Sequence, residues 1–157
     1  MRRHERSVDD LAVQERIIRE SFYMSLGMVD GGRSYVVPLN FGYEPGKIYF
    51  HCACEGRKMD ILRKSGGELP VFALFVGRGS LLDRGKGACG LSARYASVMA
   101  EGIAKEMTDD AERLHGMRTI LRQVGTPHYD LHSEDMKNIC MVCIKVTSLY
   151  AKMNDPQ

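Results

Sequence analysis

Apolar residues recur at helical spacing in three separate segments of the chain. In the last of these, Thr108 is expected to be the N-cap, and the acids Asp109 and Asp110 suit the positive end of the helix dipole. Glycines after the second and third segments supply left-handed caps that end a helix. The predicted helices are residues 8–20, 55–65 and 108–124.

Between these helices the pattern changes to that of β-strands. Tight-turn signals at residues 30–32 and 44–46 predict that the first three strands form an antiparallel meander. Pro38 cannot donate to a ladder, so its strand needs an edge, a bulge or a ligand there. The predicted strands are residues 22–29, 34–43, 47–51, 69–76, 91–106 and 137–152.

The second half of the strand pattern contains a long apolar segment, a loop and a bulge. The segment 69–76 is almost continuously apolar, which favours a strand buried on both faces. Residues 77–90 are rich in glycine and charge and predict a loop, and Gly102 marks a bulge in the strand that follows. Antiparallel strands with segregated helices predict a single β-barrel domain with helical additions over residues 1–157.

Charge and hydropathy narrow the classes of partner. The formal net charge is +2, and no basic stripe interleaves with aromatic residues, so no nucleic-acid partner is expected. No apolar run approaches the roughly 20 residues of a membrane span, and no apolar signal core follows the basic N-terminus. A cytoplasmic protein without a membrane partner is therefore predicted.

Other candidate motifs carry less weight. The five cysteines make no obvious disulfide framework, and the apolar surroundings of Cys140-x-x-Cys143 favour small core residues over a redox or metal site. Glycines 85, 87 and 90 match a dinucleotide fingerprint by letter, but they lack a βαβ context. His128 and His132 have no third ligand nearby, so no metal site is expected.

Several blocks of sequence, in order, resemble one known family. They are residues 33–43 (RSYVVPLNFGY), 46–53 (GKIYFHCA), 55–62 (EGRKMDIL) and 95–102 (YASVMAEG). Together they are similar to the pyridoxamine 5′-phosphate oxidase-like flavoproteins, and to the branch with the Nim-type nitroimidazole-resistance proteins. Ala96 departs from that branch, which usually has a basic or polar residue after the tyrosine. The resemblance implies a six-stranded antiparallel split β-barrel that binds flavin mononucleotide (FMN).

Residues at the start of the second helix suit the phosphate of FMN. Gly56, Arg57 and Lys58 combine two cations with a helix N-terminus, and the arginine fork can bind two phosphate oxygens. Taken alone, such a pair more often lies on a solvated helix surface. The flanking family blocks favour the phosphate site.

The resemblance places further residues beside the flavin. Val37, Pro38, Leu39 and Asn40 would lie along the ring, and Asn40 can both donate and accept hydrogen bonds.

Two other strands would contribute to the same pocket. His51, with Cys52 and Ala53, would lie near the flavin and the substrate, and His51 is the candidate for substrate contact or proton transfer. Tyr95 and Ser97 complete the predicted cofactor set. A histidine at a strand end is otherwise a partly exposed packing residue, and Ser97 an ordinary strand serine.

The expected function is that of an FMN-dependent oxidoreductase, or a nitroreductase, on small aromatic or nitroimidazole-like compounds. The resemblance also implies a homodimer with flavin at its interface. The alternative is a non-catalytic flavin- or haem-binding protein that stores or senses its cofactor. Pyridoxamine phosphate oxidation is a third option. It is less favoured, because no block of this sequence resembles the C-terminal substrate-binding end of that enzyme.

Overall fold

The structure is a computed structural model, and it describes residues 4–77 and 79–154. Three α-helices and nine β-strands occur in these ranges. The helices are α1 (Leu11–Glu20), α2 (Arg57–Lys64) and α3 (Asp110–Gln123). The strands are β1 (Ser7–Val8), β2 (Met24–Asp30), β3 (Arg33–Leu39), β4 (Gly42–Glu44), β5 (Lys47–Ala53), β6 (Glu68–Val76), β7 (Ser80–Asp83), β8 (Leu91–Met107) and β9 (Ile139–Asn154).

All nine strands pair antiparallel around two long central strands, β8 and β9. The sheet order is β3-β2-β6-β8-β9-β5-β4, with β1 added to β9 and β7 added to β8. The predicted bulge is confirmed, because the β8–β9 register shifts between Glu101 and Gly102. The predicted fold class, a mostly antiparallel split barrel with helices, is confirmed.

The predicted number of six strands is wrong for the described part of the chain. Six strands have seven or more residues, and β1, β4 and β7 add three short ones. Strand β7 lies inside the segment predicted as a loop, and Asn40 and Phe41 separate β4 from β3, although both strands were predicted as one. Segments of two to four residues give too little alternation to be recognised.

Both hairpins of the predicted three-stranded meander are confirmed, but the prediction that they form one continuous meander is wrong. β2 pairs with β3 as expected, but β5 pairs with β9 near the end of the chain and only its first residues pair with β4. Tight turns fix hairpins between neighbours, whereas barrel closure brings in a strand about 90 residues away.

Inward-facing side chains fill the barrel. Phe41 and Phe75 pack edge to face with ring centroids 4.8 Å apart, and both are fully buried. Strand β6 alternates between buried and exposed positions, so the prediction that both its faces are buried is wrong. Its outward residue Phe72 is 41% exposed, which leaves apolar surface on the outside of the sheet.

Helix α3 lies against β4 and β5 on the outside of the barrel. A Cβ added to Gly42 would lie 2.6 Å from the backbone nitrogen of Ile120, so the glycine permits close approach of helix and strand. The observed N-cap is Asp109, whose side chain accepts from the backbone of Glu112, and not Thr108 as predicted. No helix in the described ranges is long and apolar enough to cross a membrane.

Candidate functional site

The turn from β5 into α2 presents a positively charged helix start. Gly56 caps α2 with φ 101°, a conformation that favours glycine, and a Cβ there would meet no atom within 4 Å. The space beside this backbone is therefore open. Arg57 begins the helix, as predicted, with half of its side chain exposed.

Two residues of the β2–β3 hairpin hold the Arg57 guanidinium. Its Nε donates to Asp30 Oδ2 over 2.9 Å, and its carbon lies 4.3 Å from the centre of the Tyr35 ring. The carboxylate of Asp30 thus occupies one edge of the arginine fork. An exposed ion pair of this kind contributes about 0–1 kcal/mol, so a dianionic phosphate can displace it.

Lys58 and Cys52 lie on the inner side of the same turn. Lys58 is half-buried, and its charge lowers the pKa of the Cys52 thiol, although burial is the larger influence and raises that pKa overall. Ala53 ends β5 and is exposed. Gly56, Arg57, Lys58, Cys52 and Ala53 therefore share one end of the barrel.

His51 lies in the ladder next to this end. It pairs with Met141 of β9 and is half-buried. Burial lowers the pKa of its imidazole from the usual value of 6.5, which favours the neutral ring. A neutral imidazole can donate at one nitrogen and accept at the other.

The predicted ring contacts of β3 lie along an edge of the sheet. Val37 and Leu39 point inward and pack against the core, whereas Pro38 and Asn40 are exposed. β3 is the terminal strand of the sheet order, so Pro38 occupies the kind of edge position that its missing N–H requires.

Tyr95 and Ser97 lie at the opposite end of the barrel. Ser97 pairs with Val76 and Lys152. Arg57 contacts Asp30, and the β2–β6–β8 ladder, continued to Asp30, places that residue level with Ala104 of β8. Ser97 is seven residues from Ala104 along β8, a distance of about 23 Å at about 3.3 Å per residue. A single copy of the chain does not bring Ser97 and Arg57 together.

Sequence reasoning missed a polar cluster around Glu44. Its carboxylate accepts hydrogen bonds from the Tyr49 hydroxyl over 3.2 Å and from Thr119 over 3.3 Å, and it lies 2.9 Å from His115 Nε2. Burial acts to raise the pKa of Glu44, but hydrogen bonding and the charge of His115 lower it overall. Glu44 ends β4 just before a turn and precedes α3 by more than 60 residues, so no local signal marks this cluster.

A groove of about 690 Å³ opens beside this cluster, between α3 and the outer sheet face. Its floor includes the side chains of Lys47, Tyr49 and Cys143, and Glu112 belongs to its helical wall. None of the predicted cofactor residues lines it, so the groove is separate from the predicted flavin site.

The cysteines are arranged differently from the prediction. Cys54 and Cys140 form a disulfide with their Cα atoms 4.9 Å apart, so Cys140 is not a free core residue. Cys52, Cys89 and Cys143 are free thiols. The bonded pair is 86 residues apart in sequence, a distance at which spacing gives no information on pairing.

The histidines of the loop after α3 contact other side chains of the same loop. His128 stacks on Tyr129, and His132 lies 3.2 Å from Asp130 at the surface. Among the described residues, no group of three or more histidine, cysteine or acidic side chains is placed to hold a metal ion.

Comparison with known proteins gives the family. The sequence model described as pyridoxamine 5′-phosphate oxidase matches residues 11–153. A search of curated proteins gives no match.

Solved structures share the fold. A candidate 5-nitroimidazole antibiotic resistance protein from Bacteroides thetaiotaomicron is 26% identical with a TM-score of 0.81, over 93% of this chain and 85% of that one. The flavocytochrome Anf3 from Azotobacter vinelandii is 18% identical with a TM-score of 0.83, over 99% and 72%. An FAD- and haem-binding protein from Mycobacterium smegmatis is 13% identical with a TM-score of 0.79, over 96% and 74%. The family match covers most of the chain, and this protein therefore belongs to the pyridoxamine 5′-phosphate oxidase family.

Proposed function

We propose that the protein binds FMN between two copies of the chain and works as an oxidoreductase on small aromatic or nitroimidazole-like compounds. The observation that carries this proposal is the division of the candidate site: the Arg57 end and the Ser97 end lie about 23 Å apart in one copy. A pocket that uses both needs a second chain.

The helix start fits the FMN phosphate. The open space beside Gly56, the half-exposed Arg57 fork and the nearby Lys58 together provide room, two cations and backbone donors. These three residues would hold the phosphate, with Asp30 giving up its contact to Arg57.

Bound FMN would supply the electron transfer. The chain's residues would orient the reactants and manage protons. His51, held neutral by burial, has a ring nitrogen available to hydrogen-bond the substrate or to pass it a proton. The exposed amide of Asn40 would donate to the polar edge of the flavin ring.

The outer face of the sheet supports a homodimer. Val29 and Val36 are both 62% exposed, and with Phe72 they form an apolar strip across three neighbouring strands. Large exposed apolar areas of this kind are typical of protein interfaces. A stable interface buries about 800 Å² on each partner, an area that this sheet face would have to supply.

The placement of Tyr95 and Ser97 fits the same interface. Strand alternation puts both residues on the outer face of β8, together with Met99. Met99 pairs with Leu74 of β6, which lies on the same face as Phe72, so this outer face is continuous with the apolar strip. Two copies related by a two-fold axis present the same surface to each other in opposite directions. The Ser97 end of one copy can then face the Arg57 end of the other.

The proposed substrate class is taken from the candidate 5-nitroimidazole resistance protein, whose sequence is 26% identical to this chain. The electron donor would be a reduced nicotinamide or another reductase. The cytoplasmic setting and the lack of nucleic-acid and membrane partners stay predictions from the sequence.

The proposal is tested by adding FMN to the purified protein and recording its absorption spectrum and sedimentation. We expect a bound-flavin spectrum in a dimer, and flavin-dependent oxidation of reduced nicotinamide with a nitroaromatic acceptor. Arg57→Ala should weaken binding, and Arg16→Ala, on the exposed side of α1, should not. Absence of flavin uptake by the wild type, or flavin held by a monomer, would overturn the proposal.

A haem- or flavin-carrying protein without catalysis is the second candidate. The half-buried, neutral His51 has the protonation state of a haem ligand, and the fold occurs in a flavocytochrome. A Soret band that is lost in His51→Ala would favour this candidate. Bound flavin without oxidation of reduced nicotinamide would favour a flavin carrier.

A further inference from the structure

Three cysteines meet where β5 runs into α2. Cys54 and Cys140 are bonded, and Cys52 lies directly opposite Cys140 in the β5–β9 ladder. Directly opposed residues have Cα atoms about 4.5–5.5 Å apart, which is within the range of a disulfide. Cys140 therefore has two potential cysteine partners, one bonded and one free.

The two sulfurs of the disulfide differ in access. Cys140 is 8% exposed and belongs to the core, whereas Cys54 is partly exposed near the surface turn. An external thiolate would reach the Cys54 sulfur, and Cys140 would be the leaving group.

Polar groups are already in place for a released Cys140. Its Sγ lies 3.9 Å from Nη2 of Arg63, a cation that would stabilise the leaving thiolate, and 3.0 Å from Oε1 of Glu106. Once protonated, the thiol would donate to this carboxylate. A disulfide sulfur carries no hydrogen, so the contact to Glu106 becomes a hydrogen bond only in the reduced form.

The same polar groups connect the disulfide to α2. Arg63 Nη1 donates to the Cys54 carbonyl over 2.9 Å, and Nη2 is 3.2 Å from Glu106. Cys54 precedes the Gly56 cap by two residues. The disulfide thus fixes the start of the turn that presents Arg57.

We propose that Cys54–Cys140 is a reversible redox site, reduced by dithiols, that controls the order of the turn carrying Gly56 and Arg57. A dithiol attacks Cys54, the Cys54–Cys140 bond breaks and Cys140 leaves. The second dithiol sulfur then attacks the mixed disulfide and releases Cys54. The dithiol is oxidised to its disulfide, and its two electrons and two protons reduce the protein pair to thiols.

Burial raises the pKa of Cys52, which limits its thiolate form and disfavours its attack on the bonded pair. It serves as an internal control, because Cys52→Ser leaves the bonded pair intact. Cys89, exposed in a separate loop, is a second control.

The first test measures reactivity in the folded protein. The oxidised protein is treated with dithiothreitol, alkylated at intervals and mapped by mass spectrometry, with circular dichroism recorded in parallel. We expect Cys54 and Cys140 to become alkylated together while the fold persists, with Cys52→Ser behaving as the wild type. Absence of the disulfide in the air-oxidised protein, or reduction only on unfolding, would overturn the proposal.

A second test examines the role of Arg63. Arg63→Gln should slow reduction about tenfold by removing the cation beside the leaving sulfur, and Arg63→Lys should restore much of the rate. An unchanged rate in Arg63→Gln would contradict the assigned role.

The third test measures the consequence for the turn. Reduction should accelerate amide hydrogen exchange in residues 54–60 without changing exchange in β8. Reduction should also raise the FMN Kd about tenfold, because binding would then have to order the backbone of about one additional residue. Cys54→Ser should show the reduced behaviour with or without dithiothreitol, and Cys89→Ser should keep the response.

The FMN measurement rests on the proposed function, whereas alkylation and hydrogen exchange do not. If only the flavin proposal is wrong, FMN will bind in neither redox state, but reduction will still accelerate amide hydrogen exchange in residues 54–60. Unchanged exchange on reduction would overturn the redox control even if FMN binds.

Discussion

Arg57 and Asp30 offer a test in which two substitutions at one ion pair have opposite effects. Charge-assisted hydrogen bonds contribute about 1.5–3 kcal/mol, so Arg57→Ala should raise the FMN Kd about 10- to 150-fold. Asp30 Oδ2 lies 2.9 Å from Arg57 Nε and would compete with the phosphate for the guanidinium. Since this exposed pair contributes about 0–1 kcal/mol, Asp30→Asn should lower the Kd by up to about fivefold.

Quenching of flavin fluorescence during titration gives both dissociation constants. Riboflavin lacks the phosphate, so its affinity should change little in either variant, and Arg16→Ala should match the wild type for both ligands. Raising the salt concentration should weaken FMN binding more than riboflavin binding. If Asp30→Asn weakens FMN binding as much as Arg57→Ala does, Asp30 orders the site instead of competing for it, and the reasoning is wrong.

Further predictions concern the support of the site. Gly42→Ala should lower the free energy of unfolding by about 1–3 kcal/mol in urea titration, because the new Cβ meets the backbone of Ile120. The lowered pKa of Glu44 means that its stabilising effect is complete above about pH 4.5 and is lost as the pH falls, so the stability gap between wild type and Glu44→Gln should close in acid. In NMR titration His51 should protonate below pH 6.5, the ordinary value; a higher midpoint would refute its burial.

Local patterns predicted most of the elements but not their long-range pairing. The helix at α3 and the bulge at Gly102 follow from spacing and residue type, and both are present. The partner of β5 is not predictable from its turns, because β9 reaches it only when the barrel closes. Apolar content likewise misjudged β6, whose outward Phe72 and Val76 remain exposed on the sheet surface.

The candidate site divides in the same way. Gly56 and Arg57 were identified because a helix N-terminus and its cations are adjacent in sequence, and the structure places them as expected. The contact of Arg57 with Asp30 crosses 27 residues and carries no sequence signal. The Cys54–Cys140 bond likewise joins residues that are distant in sequence, 86 positions apart. The apolar neighbours of Cys140 favour an unbonded core residue, so the sequence pattern predicts no disulfide there.

A mixing experiment tests most directly whether the flavin site is shared between two copies. Arg57→Ala damages one half of the proposed pocket, and Ser97→Asp, which adds a negative charge, damages the other. The two variants are mixed in equal amounts, unfolded and refolded together, at an FMN concentration that saturates the wild type only. Random pairing makes half of the dimers mixed, each with one intact pocket, so about a quarter of all sites should bind FMN. If the mixture binds no more flavin than the separate variants do, the site is not shared.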